Sequence, residues 1–132
     1  MIHFVGAGPG AVDLITVRGQ KLLETADQII YAGSLVNPQL LACAKKDCRI
    51  LDSAGMTLEA VIAAVEEGEG QGWMTVRLHT GDPSVYGAIR EQMDILSQKG
   101  LAYDVVPGVS SFCAAAASLQ AEYTLPGISQ SV

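Results

Sequence analysis

Aromatic residues make up only 5% of the sequence, with one Trp and two Phe. The apolar half of the chain, 49% by count, is therefore carried mainly by Ala, Val, Ile and Leu. A chain of 132 residues built this way can bury roughly two-thirds of its unfolded surface in one domain, so it needs no covalent staples. Cysteine is also scarce. Cys43, Cys48 and Cys113 are odd in number and show no C-x-x-C spacing, which points to reduced thiols in a cytoplasmic protein and away from disulfides or a zinc site. No apolar run approaches the roughly 20 residues of a membrane span. The opening MIHFVGAGPG lacks the basic stretch of an export signal, so neither membrane nor secretion is expected. Positive charge is the last shortage. Eight Lys and Arg against fourteen Asp and Glu leave a net charge of −6, and such a surface repels phosphate backbones, so nucleic acid is not an expected partner. The one small cluster of cations, Lys45, Lys46 and Arg49, reads as a solvated helix end.

What is present is an alternation. Short β-prone runs at Ile2–Val5, Gln28–Tyr31, Arg49–Leu51, Met74–His79 and Asp104–Val106 are separated by stretches of helical period. Ile15, Gly19, Leu22, Leu23 and Ala26 recur at helical spacing with Thr16 available as N-cap; Leu58, Val61, Ile62 and Val65 recur behind Thr57. Asn37-Pro38 opens a short helix. Tyr86, Ile89, Met93 and Leu96 form another helical face, and Phe112, Ala115, Ala116 and Leu119 a last Ala-rich one. This pattern predicts an α/β fold: a five-stranded, largely parallel sheet with helices on both faces. Right-handed crossovers would then align the strand C-termini along one edge, where such sheets bind ligands.

Three Gly- or Pro-bearing loops fall at that edge: Gly6–Gly10, Thr80–Pro83 and Pro107–Ser111. Their shared location marks the candidate site. The first invites a dinucleotide-binding reading, which two features oppose. Pro9 lacks the N–H that would hold a pyrophosphate, and the second strand ends in Tyr31-Ala32-Gly33 where an acidic ribose ligand belongs. The loop can equally be a tight turn that needs Gly. Asp82 either caps the helix that follows it or accepts hydrogen bonds from a ligand with an amine or hydroxyl. It does not suit phosphate.

The runs Val5-Gly6-Ala7-Gly8-Pro9-Gly10, Asp13-Leu14-Ile15-Thr16, Tyr31-Ala32-Gly33-Ser34-Leu35-Val36, His79-Thr80-Gly81-Asp82-Pro83-Ser84-Val85-Tyr86-Gly87 and Val106-Pro107-Gly108-Val109-Ser110-Ser111 resemble, in order and spacing, the tetrapyrrole methylase family. The third and fourth resemble its precorrin-4 and cobalt-precorrin-4 C11-methyltransferase branch in particular. The resemblance covers essentially the whole chain and implies S-adenosyl-L-methionine as cofactor and a tetrapyrrole as substrate, with methyl transfer to ring carbon C11 in cobalamin biosynthesis.

Family members are about twice this length and hold the cofactor between two α/β domains. On that pattern residues 1–122 are the N-terminal domain, and 123–132 begin a linker to a C-terminal domain missing here. The full-length protein would be a homodimer, and this chain alone would be inactive. Carried over by motif, Pro9 would border the cofactor, and Thr80, Gly81 and Asp82 would line it. Val85 and Tyr86 would pack near it, and Ser110 and Ser111 would reach its polar end. Gly33 and Ser34 would face the tetrapyrrole, unless Ser34 is only a turn residue. No catalytic base follows from the motifs. His79 has the right chemistry but ends a strand, which favours a structural role. Arg18, Lys21 and Arg90 could anchor substrate carboxylates. Two other readings stay open: a methylase of the same fold acting on ribosomal RNA or protein, and a non-catalytic binding domain.

Overall fold

The computed structural model describes residues 1–132. Five strands form one sheet in the order β3-β2-β4-β1-β5: β1 (Ile2–Gly6), β2 (Gln28–Tyr31), β3 (Arg49–Asp52), β4 (Thr75–His79) and β5 (Tyr103–Val106). Every pairing is parallel, so the expectation of a largely parallel sheet holds throughout. Three helices connect the strands, α1 (Val17–Thr25), α2 (Leu58–Gly70) and α3 (Ile89–Gln98), and a fourth, α4 (Ser111–Leu119), follows β5. Between β2 and β3 the chain makes only 3-10 turns, at Gly33–Leu35 and Pro38–Cys43.

The connections β1→β2→β3 run one way across the sheet and β3→β4→β5 the other. A fixed crossover hand then puts the two sets on opposite faces, and the apolar clusters follow. Val5, Ile29, Val76 and Leu78 pack with Leu23 of α1 and Leu40 of the second 3-10 turn. Ile2, Phe4 and Ile30 pack with Val61, Ile62 and Val65 of α2 and Leu96 of α3. Alternation along each strand thus feeds two cores, the period-two logic of a sheet covered on both sides. The caps also form as the residue types dictate: Thr16 Oγ1 accepts from the Gly19 N–H at 3.0 Å and Thr57 Oγ1 from that of Ala60 at 3.1 Å.

Three local expectations are revised. Arg49 does not end a solvated helix. It opens β3, in line with the β-prone run at Arg49–Leu51, and it sits 5.0 Å above the Trp73 ring and donates to Gln28 Oε1, while Lys45 pairs with Asp27. Tyr86 is not on the helical face with Ile89, because α3 begins only at Ile89. The helical face assigned to α4 exists but buries nothing: none of its residues is buried, and Phe112 and Leu119 are exposed. Beyond it, Tyr123 leans on Phe112 with ring centroids 6.1 Å apart, and Leu125–Ser129 makes a tight turn. No helix is long and apolar enough to cross a membrane.

Candidate functional site

β1 and β4 are neighbours, but their onward connections leave in opposite directions. A crevice opens at such a switch point beyond the strand C-termini. Here the crevice is stitched backbone to backbone. The Ala7 N–H donates to the His79 carbonyl at 2.6 Å, and Gly8 and Gly81 exchange hydrogen bonds of 3.2 and 2.8 Å. The loop after β5 closes onto the same point. A Cβ on Gly6 would stand 2.6 Å from the Gly81 oxygen and 2.7 Å from Gly108 Cα, and one on Gly108 would stand 2.2 Å from the Gly81 oxygen. No side chain fits at Gly6 or Gly108, and Gly81 takes φ +57°, so all three loops favour glycine there.

Asp82 locks the junction. Its carboxylate accepts from the Gly108 N–H at 2.8 Å, from the Ser84 N–H at 2.9 Å and from the Ser84 hydroxyl. Burial pushes its pKa up, but the Ser84 hydroxyl and the two backbone N–H groups outweigh that and hold it below the ordinary carboxylate range. These three bonds occupy most of a carboxylate's roughly four acceptor positions. The helix-cap reading of Asp82 fails, since α3 starts at Ile89. Asp82 instead caps its own turn and clamps the β4 loop to the β5 loop.

Around this clamp lies a cavity of about 340 Å³, within the roughly 300–1,000 Å³ range of small-molecule sites. Pro9, Thr80, Gly81, Asp82, Val85, Tyr86, Ser110 and Ser111 all line it. These are the residues that the motifs assigned to a cofactor, and the fold brings every one of them to one place. Gly8 and Leu35 line it too. Gly8 was legible as part of the first glycine loop, and Leu35 as the member of the Tyr31–Val36 run beside the expected Ser34. Gly33 and Ser34 are not among the lining residues. Gly33 is buried at φ +71° against Ala54, and Ser34 is exposed on the same turn.

The cavity's outer wall is strained. Tyr86 and Ala88 take φ of +58° and +52°, a left-handed conformation that costs non-glycine residues roughly 1–3 kcal/mol each. The turn set by Asp82 forces it: Val85 N–H bonds back to the Asp82 carbonyl, and Gly87 presses against Pro83. Tyr86 is thereby thrown fully into solvent at the cavity mouth. Strain held at a ligand-sized cavity is characteristic of sites rather than of cores.

His79 takes no part in this lining. It is 3% exposed, stacks on Phe4 at 6.1 Å and leaves Nε2 without a hydrogen-bond partner in the protein. Burial, helped by the neighbouring Arg77 charge, lowers its pKa to about 3, so it is neutral near pH 7. Arg18 and Lys21 sit on α1 and line no part of the cavity. The dinucleotide reading also loses its geometry: α1 begins at Val17, well past Gly10, and only a single 3-10 turn at Val12–Leu14 follows the glycine loop, so no α-helix N-terminus opens directly behind it as phosphate binding requires. The lining holds one carboxylate, the hydroxyls of Thr80, Ser110, Ser111 and Tyr86, and no cation. It suits a cationic ligand rich in hydroxyls and amines.

Comparison with known proteins agrees with this chemistry. The chain is 56% identical over 131 residues to a cobalt-precorrin-4 C(11)-methyltransferase of Methanocaldococcus jannaschii, covering 99% of this chain and 51% of that protein. It is 48% identical to a precorrin-4 C(11)-methyltransferase of Rhodococcus erythropolis, covering 99% and 53%. Its structure superposes on the X-ray structure of a cobalt precorrin-4 methyltransferase of cobalamin biosynthesis with TM-score 0.95 at 48% identity, over 98% of this chain and 54% of that one. It also superposes on a uroporphyrin-III C-methyltransferase from Thermus thermophilus complexed with S-adenosylhomocysteine, with TM-score 0.78 at 30% identity, over 96% and 51%. The chain thus spans about half the length of the curated relatives it matches. The family model described as Tetrapyrrole (Corrin/Porphyrin) Methylases matches residues 1–132, and with five ordered motifs meeting at one sheet edge, this chain belongs to the tetrapyrrole methylases.

Proposed function

We propose that the protein transfers a methyl group from S-adenosyl-L-methionine to C11 of precorrin-4 or cobalt-precorrin-4, as its relatives' names describe, and that this chain supplies the cofactor-facing half of the site. The observation that carries the reading is the convergence of all the motif-assigned cofactor residues on one cavity, in a chain 56% identical to such an enzyme. The lining fits the cofactor's chemistry. Asp82 stays ionised and offers negative charge to a ligand bearing an ammonium and a sulfonium. Thr80, Ser110 and Ser111 offer hydroxyls. The open backbone around Gly81 lets a ligand approach closely.

When bound, S-adenosyl-L-methionine supplies an already electrophilic methyl group, so the residues here need only hold and orient. Asp82 and its clamp fix the distance between the β4 and β5 loops. Pro9 and Val85 give the walls apolar surface, and Tyr86 stands exposed at the mouth. The one lining carboxylate, Asp82, has most of its acceptor positions taken by Ser84 and Gly108, and no His, Lys or Cys lines the cavity, which is consistent with catalysis by alignment.

A tetrapyrrole substrate, a second α/β domain covering the cavity and a homodimeric full-length protein belong to the same reading. The unburied apolar face of α4 and the exposed Leu35 and Tyr86 support a partner surface beside the loops, of the roughly 600–1,500 Å² usual between domains. Gly33 and Ser34 then face the substrate from their turn, beside Leu35. The reduced cysteines accord with a cytoplasmic protein. The net charge of −6 argues against a ribosomal RNA methylase. The test is to express the protein at the length of its relatives and supply S-adenosyl-L-methionine with each tetrapyrrole. A product heavier by one methylene and labelled at C11 is expected. Methylation at another ring carbon, or of RNA or protein instead, would overturn the assignment.

A further inference from the structure

Tyr86 is a wall with two sides. One faces the cavity around Asp82. The other faces a second cavity, also of about 340 Å³, walled by Pro83, Ala88, Ile89 and Met93 and bearing Arg90. The two spaces differ in sign. Asp82 is the only charged residue lining the first, and Arg90 the only one lining the second. Arg90 is also poorly engaged. It is 83% exposed, and its ion pair with Asp94 is long at 3.9 Å, an exposed helix pair of the kind worth only a few tenths of a kcal/mol. In a chain of net charge −6, a loosely held guanidinium over an apolar floor of Ile89 and Met93 is suited to one kind of ligand: an apolar framework with carboxylates at its rim.

We propose that the cavity beside Arg90 is a subsite for the acidic rim of the acceptor, separated from the donor cavity by Tyr86. This rests on the methyltransferase reading above. A cationic donor and a polyanionic acceptor call for opposite charge on the two sides of the wall they share, and the fold provides it. Tyr86 is held there by its left-handed backbone, so an aromatic face stands ready at the junction.

Amide NMR of the isotope-labelled 132-residue chain tests this, because it registers weak binding residue by residue. Two probes are titrated separately: uroporphyrin, a porphyrin with carboxylates around its rim, and S-adenosylhomocysteine. Uroporphyrin is expected to shift the amides of Tyr86 to Met93, and S-adenosylhomocysteine those of Gly8, Thr80–Asp82 and Ser110. The two footprints should meet at Tyr86. Arg90→Glu should weaken uroporphyrin about ten-fold or more, the loss of a charge-assisted contact, and leave S-adenosylhomocysteine unchanged. Arg18→Glu makes the same charge change on α1, outside both cavities, and should weaken uroporphyrin less than about two-fold on screening grounds. Arg90→Lys should restore most of the binding. Equal losses in Arg90→Glu and Arg18→Glu would overturn the subsite. So would a porphyrin footprint elsewhere, or no porphyrin binding at all. A protein that takes up uroporphyrin beside Arg90 but shows no S-adenosylhomocysteine footprint, both at this length and at the length of its relatives, would leave the subsite standing and remove the donor reading instead.

Discussion

The two ends of the sheet are closed by different materials. At the N-terminal end side chains do the closing. Arg49 bridges Gln28, Glu67 and the Trp73 ring, the terminal ammonium meets Glu69, and Lys45 meets Asp27. At the C-terminal end side chains are removed. Gly6, Gly81 and Gly108 bring three backbones into contact, and one carboxylate, Asp82, ties two of the loops. The first arrangement is redundant, since several exposed or half-exposed pairs share the task and each is worth little. The second has no redundancy, because a close backbone contact either fits or does not. The contrast shows where the chain has committed its geometry: at the end where a ligand must be held.

The sharpest way to break the comparison is to put a side chain into the glycine junction. Gly108→Val places atoms where even a Cβ would meet the Gly81 oxygen at 2.2 Å. Overpacking against backbone of this kind should cost about 3 kcal/mol or more. Urea unfolding would show it, and a variant as stable as the parent would mean that the loops are free to part.

Acid should act at the same end. His79 closes β4 with its pKa lowered to about 3, far below its unfolded value of roughly 6.5. A group depressed in the folded state contributes stability that is fully present above the unfolded pKa. That stability is lost as pH falls from about 6.5 toward 3, by several kcal/mol in all. Asp82, also held low, adds a further loss in the acid range. The urea midpoint should therefore fall steadily below about pH 6.5, and His79→Phe, which keeps the stacking on Phe4, should flatten that fall. An unchanged slope would mean that His79 is solvated in solution.

Asp82→Ala should come next. It removes three accepted hydrogen bonds, so it should cost about 1–3 kcal/mol in stability. It should also weaken S-adenosylhomocysteine roughly 10- to 150-fold in the protein at full relative length. Melts without ligand and calorimetric titrations separate the two. Stability lost with affinity intact would leave Asp82 a clamp and nothing more. The smallest effect belongs to the opposite end. Arg49→Met keeps the stem over Trp73 and should cost about 1 kcal/mol or less, with no change in ligand affinity. If it moved affinity as much as Asp82→Ala does, the division between the ends would be wrong.

Much of this was legible from residues alone, and the limits have physical causes. Period-two and helical spacing located all five strands and the helix caps at Thr16 and Thr57, because burial on a regular element leaves a periodic trace. The motif runs gathered the cavity lining, because loops after parallel strands must share an edge. Tyr86 was misplaced because its spacing to Ile89 and Met93 matches a helix by chance, while the turn that ejects it depends on the Asp82 and Gly87 contacts. Asp82 read as either a helix cap or a ligand contact, and not as a clamp between loops, because its partner, the Gly108 N–H, lies on a loop distant in sequence. Arg49 looked solvated because its company, Trp73 and Gln28, is assembled only by the sheet.

The strand order also sets a timetable. β1 is made first, yet its neighbours are β4 and β5, with Ile2 opposite Thr75 on one side and Tyr103 on the other. Until those segments leave the ribosome, β1 has two open edges and no partner, and only β2 and β3 can pair among the residues already made. Pairing at such long sequence separation is slow, and unpaired apolar edges invite association with other chains. A nascent chain stopped before Thr75 would consequently present Ile2–Gly6, an inner strand of the finished sheet, as a sticky free end.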